Sequence, residues 1–221
     1  MNNNELMHTY LDKILIANET TNLTRITSRE QALILHIEDS LVGLKEINDA
    51  PEGLYGDLGT GGGFPGVPIA IETGRKTLLV DSVQKKVKIL QGIVEEIGLS
   101  DQISTYAGRI EDLAKEQAGS FSVLSARALS RLISLLELSS PLLKKNGHLV
   151  CYKAKVEDDE LQEAIDVQDL VGMRLVSRRS VVLSDGETYR EILVFEKYKK
   201  PAIKLPRRVG MAQRNPLKPR N

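Results

Sequence analysis

The sequence predicts an α/β fold: a seven-stranded, mostly parallel sheet closed by an antiparallel hairpin and preceded by a helical extension. Three observations lead there. From residue 53 onward, short apolar runs alternate with amphipathic segments, the pattern of right-handed βαβ crossovers. A glycine-rich turn, residues 59–66, joins the first strand to the first of these helices. The last two strand patterns flank Ser184-Asp185-Gly186-Glu187, a hairpin turn. The expected divisions are a helical extension over 1–50, the α/β domain over 51–198 and a basic, flexible tail over 199–221.

In chain order, Leu6, Tyr10, Ile14 and Ala17 recur at helical spacing over 3–18. Ser28 with Gln31 resembles a capping box that opens a second helix running to about Leu44. Leu54 to Leu58 is the first buried strand, and Gly66 to Thr73 a short helix with Pro68 in its first turn, where a missing N–H does no harm. Strands are expected at 77–81, 103–106, 121–124 and 148–153, and helices at 83–97, 110–117, 129–143 and 156–167. The closing strands fall at about 173–183 and 188–197.

At 221 residues, 41% of them hydrophobic, the chain holds one sizeable core. Its single cysteine, Cys151, excludes an internal disulfide and sits in an apolar run, as a buried thiol would. The N-terminal residues lack a signal-peptide pattern, and no apolar run reaches the roughly 20 residues that cross a bilayer, so a cytoplasmic protein is expected. The formal net charge is zero, yet residues 199–221 contain eight basic residues and no acid. An acidic body with a basic end suggests a polyanion touched by one region.

The candidate site is the glycine loop. Gly59, Gly61, Gly62 and Gly63, with Gly66 just beyond, let the backbone turn tightly and approach a ligand. Strand, glycine loop and helix N-terminus together make a place for a nucleotide-like ligand. Gly61, Gly63 and Gly66 fit a dinucleotide fingerprint, with Asp81 twenty residues after Gly61. Gly59, Gly61 and Gly63 fit equally the acidic-G-x-G-x-G loop of S-adenosylmethionine (SAM) methyltransferases. Asp57 favours the second reading, because it would repel a pyrophosphate and help hold a cationic, amino-acid-bearing ligand. Ligands of such sheets lie beyond the carboxyl ends of the strands, which brings Asp81, Arg109, Ile110, Glu111 and Arg127 toward one cleft. Asp81 suits ribose hydroxyls or, alternatively, a helix cap beside Ser82. Ile110 and Glu111 would flank an adenine, or simply open a helix. Arg127 would meet a carboxylate, a phosphate or a base edge. His36 and Asp39 share a helix face as a site pair or a local structural one. No metal site is expected.

These motifs together resemble the RsmG (GidB) family of bacterial small-subunit rRNA guanine-N7 methyltransferases. The resemblance rests on Asp57-x-Gly59-Thr60-Gly61-x-Gly63-Phe64-Pro65-Gly66, His36-x-x-Asp39-Ser40, Asp81-Ser82, Arg109-x-Glu111, Ala126-Arg127-Ala128, Lys144-Lys145-Asn146-Gly147 and the tail Pro206-Arg207-Arg208-x-Gly210. It implies a Rossmann-like fold, SAM as cofactor, and 16S rRNA or the small ribosomal subunit as partner of a monomeric enzyme. Cofactor contacts are then implied at Gly59, Phe64, Asp81, Ile110, Glu111 and Arg127, beside Asp57, Gly61 and Gly63 of the loop. Substrate contacts are expected at His36, Arg109, Lys153, Arg207 and Arg208, with Arg127 and Lys153 as positioning groups. Guanine N7 carries a lone pair and no proton, so no obligatory catalytic base is expected. The target guanine should lie outside a regular duplex, since the A-form major groove is deep and narrow.

Overall fold

The computed structural model describes residues 2–219. Seven strands form one sheet in the order β3-β2-β1-β4-β5-β7-β6. They are β1 (Leu54–Leu58), β2 (Thr77–Asp81), β3 (Ile103–Ala107), β4 (Phe121–Arg127), β5 (Leu143–Lys153), β6 (Met173–Val182) and β7 (Tyr189–Lys197). The first five pair in parallel, and β7 pairs antiparallel with both β5 and β6. The chain order reverses between β1 and β4, the switch point at which such sheets bind ligands.

Alternation along the strands sends side chains to two faces. Leu58, Leu78, Val80 and Leu124 join the larger core under helices α7 (Ile110–Glu116), α8 (Leu132–Ser139) and α9 (Asp158–Gln168). On the other face Leu79 and Ile103 join the core under α1 (Asn3–Asn18), α5 (Gly66–Thr73) and α6 (Gln84–Glu96). The N-terminal extension is therefore part of the sheet's cover, through Tyr10, Leu11 and Ile14, all fully buried.

The second helix departs from expectation. In place of one helix to Leu44 there is α2 (Arg29–Ala32), a π-helix (Leu33–Glu38) and α3 (Asp39–Leu41), then α4 (Leu44–Asn48). Ser28 caps α2 through a 3.5 Å bond from the Gln31 amide. The π turn coincides with carbonyls used elsewhere: that of Leu35 accepts from Arg127, and that of His36 accepts from the Ser40 hydroxyl. Such turns cluster at functional sites.

Three other boundaries move. β4 runs on to Arg127 because β1 pairs with it as far as Ala126 and β5 as far as Arg127. The next helix starts only at Leu132, after a turn in which Ala128 has φ of 54°. β5 starts at Leu143, across an irregularity with Asn146 at φ 64°.

The tail also differs from the flexible segment expected. Arg207 donates to both oxygens of Glu137, at 2.7 and 2.6 Å. Glu137, on α8, is only 3% exposed, so its carboxylate requires that partner. Helix α10 (Met211–Arg214) follows, with Ala212 buried and its carbonyl accepting from Ser134 at 2.7 Å. Leu205 and Leu217 pack on the larger core. Apolar anchors and one buried ion pair thus override the low hydrophobicity of the segment. Residues 220 and 221 lie outside the described part.

Candidate functional site

The glycine loop is held from behind. Gly59 and Thr60 amides both donate to the Val80 carbonyl, at 2.8 and 3.0 Å, which swings the chain across the end of β2. Asp57 is fully buried. Its Oδ2 accepts from Thr60 Oγ1 at 2.6 Å and the Gly66 amide at 3.0 Å, and its Oδ1 accepts from Ser125 Oγ at 2.7 Å. Burial raises its pKa, opposed by those three hydrogen bonds. Both ends of the loop therefore close on one carboxylate, and Asp57 stands behind the loop rather than on its open face.

The far end of the loop is clamped by the N-terminal extension. Tyr10 OH donates to the Gly62 carbonyl at 2.8 Å. Gly63 has φ of 83°, and a Cβ there would lie 1.9 Å from that hydroxyl, so this position accepts only glycine. Phe64 meets Tyr10 edge-on and stacks on His36, with centroids 4.4 Å apart and planes at 4°. Phe64 is thus buried between two helices, and its contacts are within the protein.

In front of the loop lies a cleft of about 650 Å³, open solvent at its mouth included. Gly59, Asp81, Arg109, Ile110 and Glu111 line it, as do Ala128 and Leu129 after β4 and Gly210 and Gln213 from the tail. Asp81 sits at the mouth of β2, its Oδ2 accepting from the Gly61 amide at 3.1 Å and its Oδ1 from Val83 at 2.9 Å. It ties the loop to the sheet and remains partly exposed. Glu111 is 7% exposed and its Oε1 accepts from the Gly210 amide at 2.6 Å. Its other oxygen has no hydrogen bond among the described residues. The Asp81 carboxylate, the apolar face of Ile110 and the second oxygen of Glu111 are thus brought to one cleft.

Beyond β4 is a second cluster. Arg127 donates through Nη1 to the Leu35 carbonyl at 3.1 Å and to Asp39 Oδ2 at 2.8 Å. Arg190 donates to the same carboxylate through Nε and Nη2, at 2.8 and 3.1 Å. Two guanidiniums therefore share one carboxylate that is 1% exposed. His36 is bonded through Nε2 to Thr24 Oγ1 at 2.8 Å, while Nδ1 is buried without a partner among the described residues. Burial, and then the charge of Arg127, lower its pKa to about 4, so its ring is neutral at pH 7. Lys153 pairs with Glu160 at 2.7 Å. A shallow hollow runs past this cluster, lined by Leu35, Ala154, Lys155, Tyr189 and Arg190.

The expected residues thus divide. Gly59, Asp81, Arg109, Ile110 and Glu111 are gathered at one cleft, with Gly61 bound to Asp81 at its mouth. Arg127 is bonded to Asp39 and to the carbonyl of Leu35, a residue of the second hollow, His36 is buried against Phe64, Lys153 is paired at the end of β5, and Arg207 is committed to Glu137. Arg208 is exposed. Sequence reasoning missed Arg190 and Gln213 and gave no site role to Tyr10 or Gly210. Gly210 carried a signal in the Pro-Arg-Arg-x-Gly motif, as Thr60 did within the glycine loop motif; Tyr10 read as one more apolar position of α1.

Solved structures of similar fold include methyltransferases. A geranyl diphosphate methyltransferase in complex with SAM superposes with a TM-score of 0.57 at 11% identity, covering 72% of this chain and 84% of the other. A precorrin-6y C5,15-methyltransferase from Geobacter metallireducens gives 0.54 at 10%, covering 72% and 87%. Much nearer in sequence are two proteins named ribosomal RNA small subunit methyltransferase G. That of Lactobacillus johnsonii is 35% identical over 214 residues, covering 95% of this chain and 89% of the relative. That of Alkaliphilus metalliredigens is 32% identical over 213 residues, with the same coverage. The GidB family profile, described as rRNA small subunit methyltransferase G, matches residues 3–185, and this chain belongs to that family.

Proposed function

We propose that the chain transfers the methyl group of SAM to N7 of a guanine in 16S rRNA. The cofactor supplies a methyl carbon on a sulfonium; the S–C bond breaks with its electron pair going to sulfur, and the N7–C bond forms from the ring's lone pair. The residues of the first cleft fit the nucleoside end. Asp81 takes the ribose hydroxyls, Ile110 packs against the adenine, and the unpaired oxygen of Glu111 accepts from the exocyclic amine. The loop amides and Gly59, where a Cβ would meet Leu129 at 2.6 Å, leave room for the rest.

Arg127 carries this reading. It separates the two hollows: Ala128 and Leu129, next in sequence, line the first, and Leu35, whose carbonyl it binds, lines the second. Its side chain is 15% exposed, and Nε and Nη2 make no hydrogen bond among the described residues. A guanine presents O6 and N7 as adjacent acceptors. Donors from Arg127 to O6 or to the neighbouring phosphate would orient the base and leave the N7 lone pair free. Alignment is then the main task, since displacement at N7 removes no proton in the attacking step. Tyr189, 39% exposed at the second hollow, offers a surface on which an unpaired base can stack.

The test is incubation of the full chain with radiolabelled SAM and small subunits or 16S rRNA, followed by borohydride and aniline cleavage. Label at a single guanine that becomes a cleavage site is the expected result. Incorporation at a position resistant to cleavage would overturn the N7 assignment, and no incorporation into either RNA substrate would overturn the reaction.

A further inference from the structure

We infer that the C-terminal segment 207–214 is part of the cofactor site: it holds Glu111 in position to read the adenine, and cofactor binding in turn holds the segment down. The inference rests on the reading of the first cleft as the SAM pocket, and adds to it an element whose Gly210 lies 99 residues from Glu111 in sequence.

The observations converge from three directions. Gly210 and Gln213 form a wall of the cleft. The Gly210 amide donates to Glu111 Oε1 at 2.6 Å, which fixes a buried carboxylate and leaves its second oxygen unpartnered among the described residues. Gly210 can deliver that amide because its φ of 77° turns the chain back just ahead of α10, a conformation that costs glycine little. The segment is fastened to α8 by the paired Arg207 and Glu137 and by the Ser134 hydroxyl on the Ala212 carbonyl.

The chemistry follows from the hydrogen-bond inventory. A carboxylate that is free to rotate reads an amine weakly, because ordering it costs side-chain entropy at the moment of binding. One oxygen held by a backbone N–H has already met that cost, and the remaining oxygen accepts from the exocyclic amine of adenine. A hypoxanthine base presents a carbonyl at the same place and would face the carboxylate oxygen with a second acceptor. The tail thus acts as a specificity-determining element rather than only as a basic arm for RNA. The phosphate-binding role expected of it from charge loses Arg207, whose guanidinium is already committed to Glu137 and the Asn215 carbonyl.

Reciprocity makes the inference measurable without catalysis. Amide hydrogen exchange of residues 207–215 is followed in the unmodified full chain, with and without S-adenosylhomocysteine (SAH) at about a hundredfold excess over its Kd. Exchange in that segment should slow by about tenfold or more, up to the hundredfold limit set by mass action. Exchange unchanged within twofold while calorimetry shows SAH bound would overturn the inference. If SAH does not bind the full chain at all, it is the cofactor pocket that fails, and calorimetry alone reveals that case.

A variant supplies the converse. Ala212 is 2% exposed, so Ala212→Arg forces α10 off α8 while Glu137 becomes solvated. SAH affinity should fall by the factor by which SAH slowed exchange. The preference for SAH over its deaminated analogue S-inosylhomocysteine should shrink in parallel. A displaced segment, shown by fast exchange, with affinity and base preference both unaltered would overturn the inference.

Discussion

Replacing Asp57 separates two roles for the carboxylate at the end of β1. From sequence it would help hold a cationic ligand; in the structure it is fully buried and accepts three hydrogen bonds from Thr60, Gly66 and Ser125. Asp57→Ala leaves three donors behind. Two are hydroxyls that can rotate, and Ser125 already lies 2.7 Å from Tyr55 Oη. The Gly66 amide cannot rotate away. At about 1–3 kcal/mol for each buried donor left unmade, with partial rescue of the hydroxyls, the loss is about 2–4 kcal/mol. For a chain of this size that lowers Tm by roughly 4–16 °C. Asp57→Asn should cost less than about 1.5 kcal/mol: the amide oxygen can face Gly66 and Thr60 while its NH2 donates to Ser125, which turns its own proton to Tyr55. Scanning calorimetry gives the stabilities and isothermal titration gives SAH affinity. The asparagine variant should bind SAH within about threefold of the parent, under 1 kcal/mol. An alanine variant that melts with the parent would refute the clasp. An asparagine variant of parental Tm with SAH binding lost would show that the charge acts on the ligand instead.

Other expectations follow from single contacts. Gly63→Ala places a methyl 1.9 Å from Tyr10 Oη at φ 83°, so it should destabilise by about 2 kcal/mol or more through strain and overpacking; a Tm equal to the parent's contradicts this. Unfolded His36 binds a proton below about pH 6.5, whereas the folded ring stays neutral to about 4. Its contribution is therefore complete above pH 6.5 and lost as the pH falls toward 4, at most about 3 kcal/mol. Urea unfolding across that window should show a steeper pH dependence for the parent than for His36→Phe, and identical slopes would remove the assignment. Arg207→Ala leaves Glu137 without its partner. It should cost about 3 kcal/mol or less, because the tail can lift and let water reach the carboxylate, and trypsin should then cut the segment around Arg208 faster than in the parent.

How legible the fold was depended on the range of the interactions. Strands β1 to β3 and helices α5 to α7 appear near their expected bounds, because apolar periodicity and glycine punctuation decide them locally. The second helix was not legible. Its π turn coincides with a bond from Arg127, some ninety residues away, to the Leu35 carbonyl, and nothing in residues 28–44 announces that. The tail was misread for a related reason: proline and charge predict mobility, while Arg207 finds its buried acid on α8 and Ala212 its contact with the same helix. At the site, glycine spacing marked the loop and strand ends marked Asp81, Ile110 and Glu111. The clasp on Asp57 and the clamp at Tyr10 were hidden because a buried aspartate and an exposed one look alike in sequence.

In the proposed function, the hollow in front of residues 59–64 seats a nucleoside. A crystal of the full chain soaked in SAH tests it most directly. The prediction is adenosine density in the hollow, ribose hydroxyls on Asp81, the base against Ile110 and its amine on the oxygen of Glu111 that Gly210 leaves free. Density confined to another surface, or a hollow filled by the loop's own side chains while SAH binds elsewhere, would contradict it.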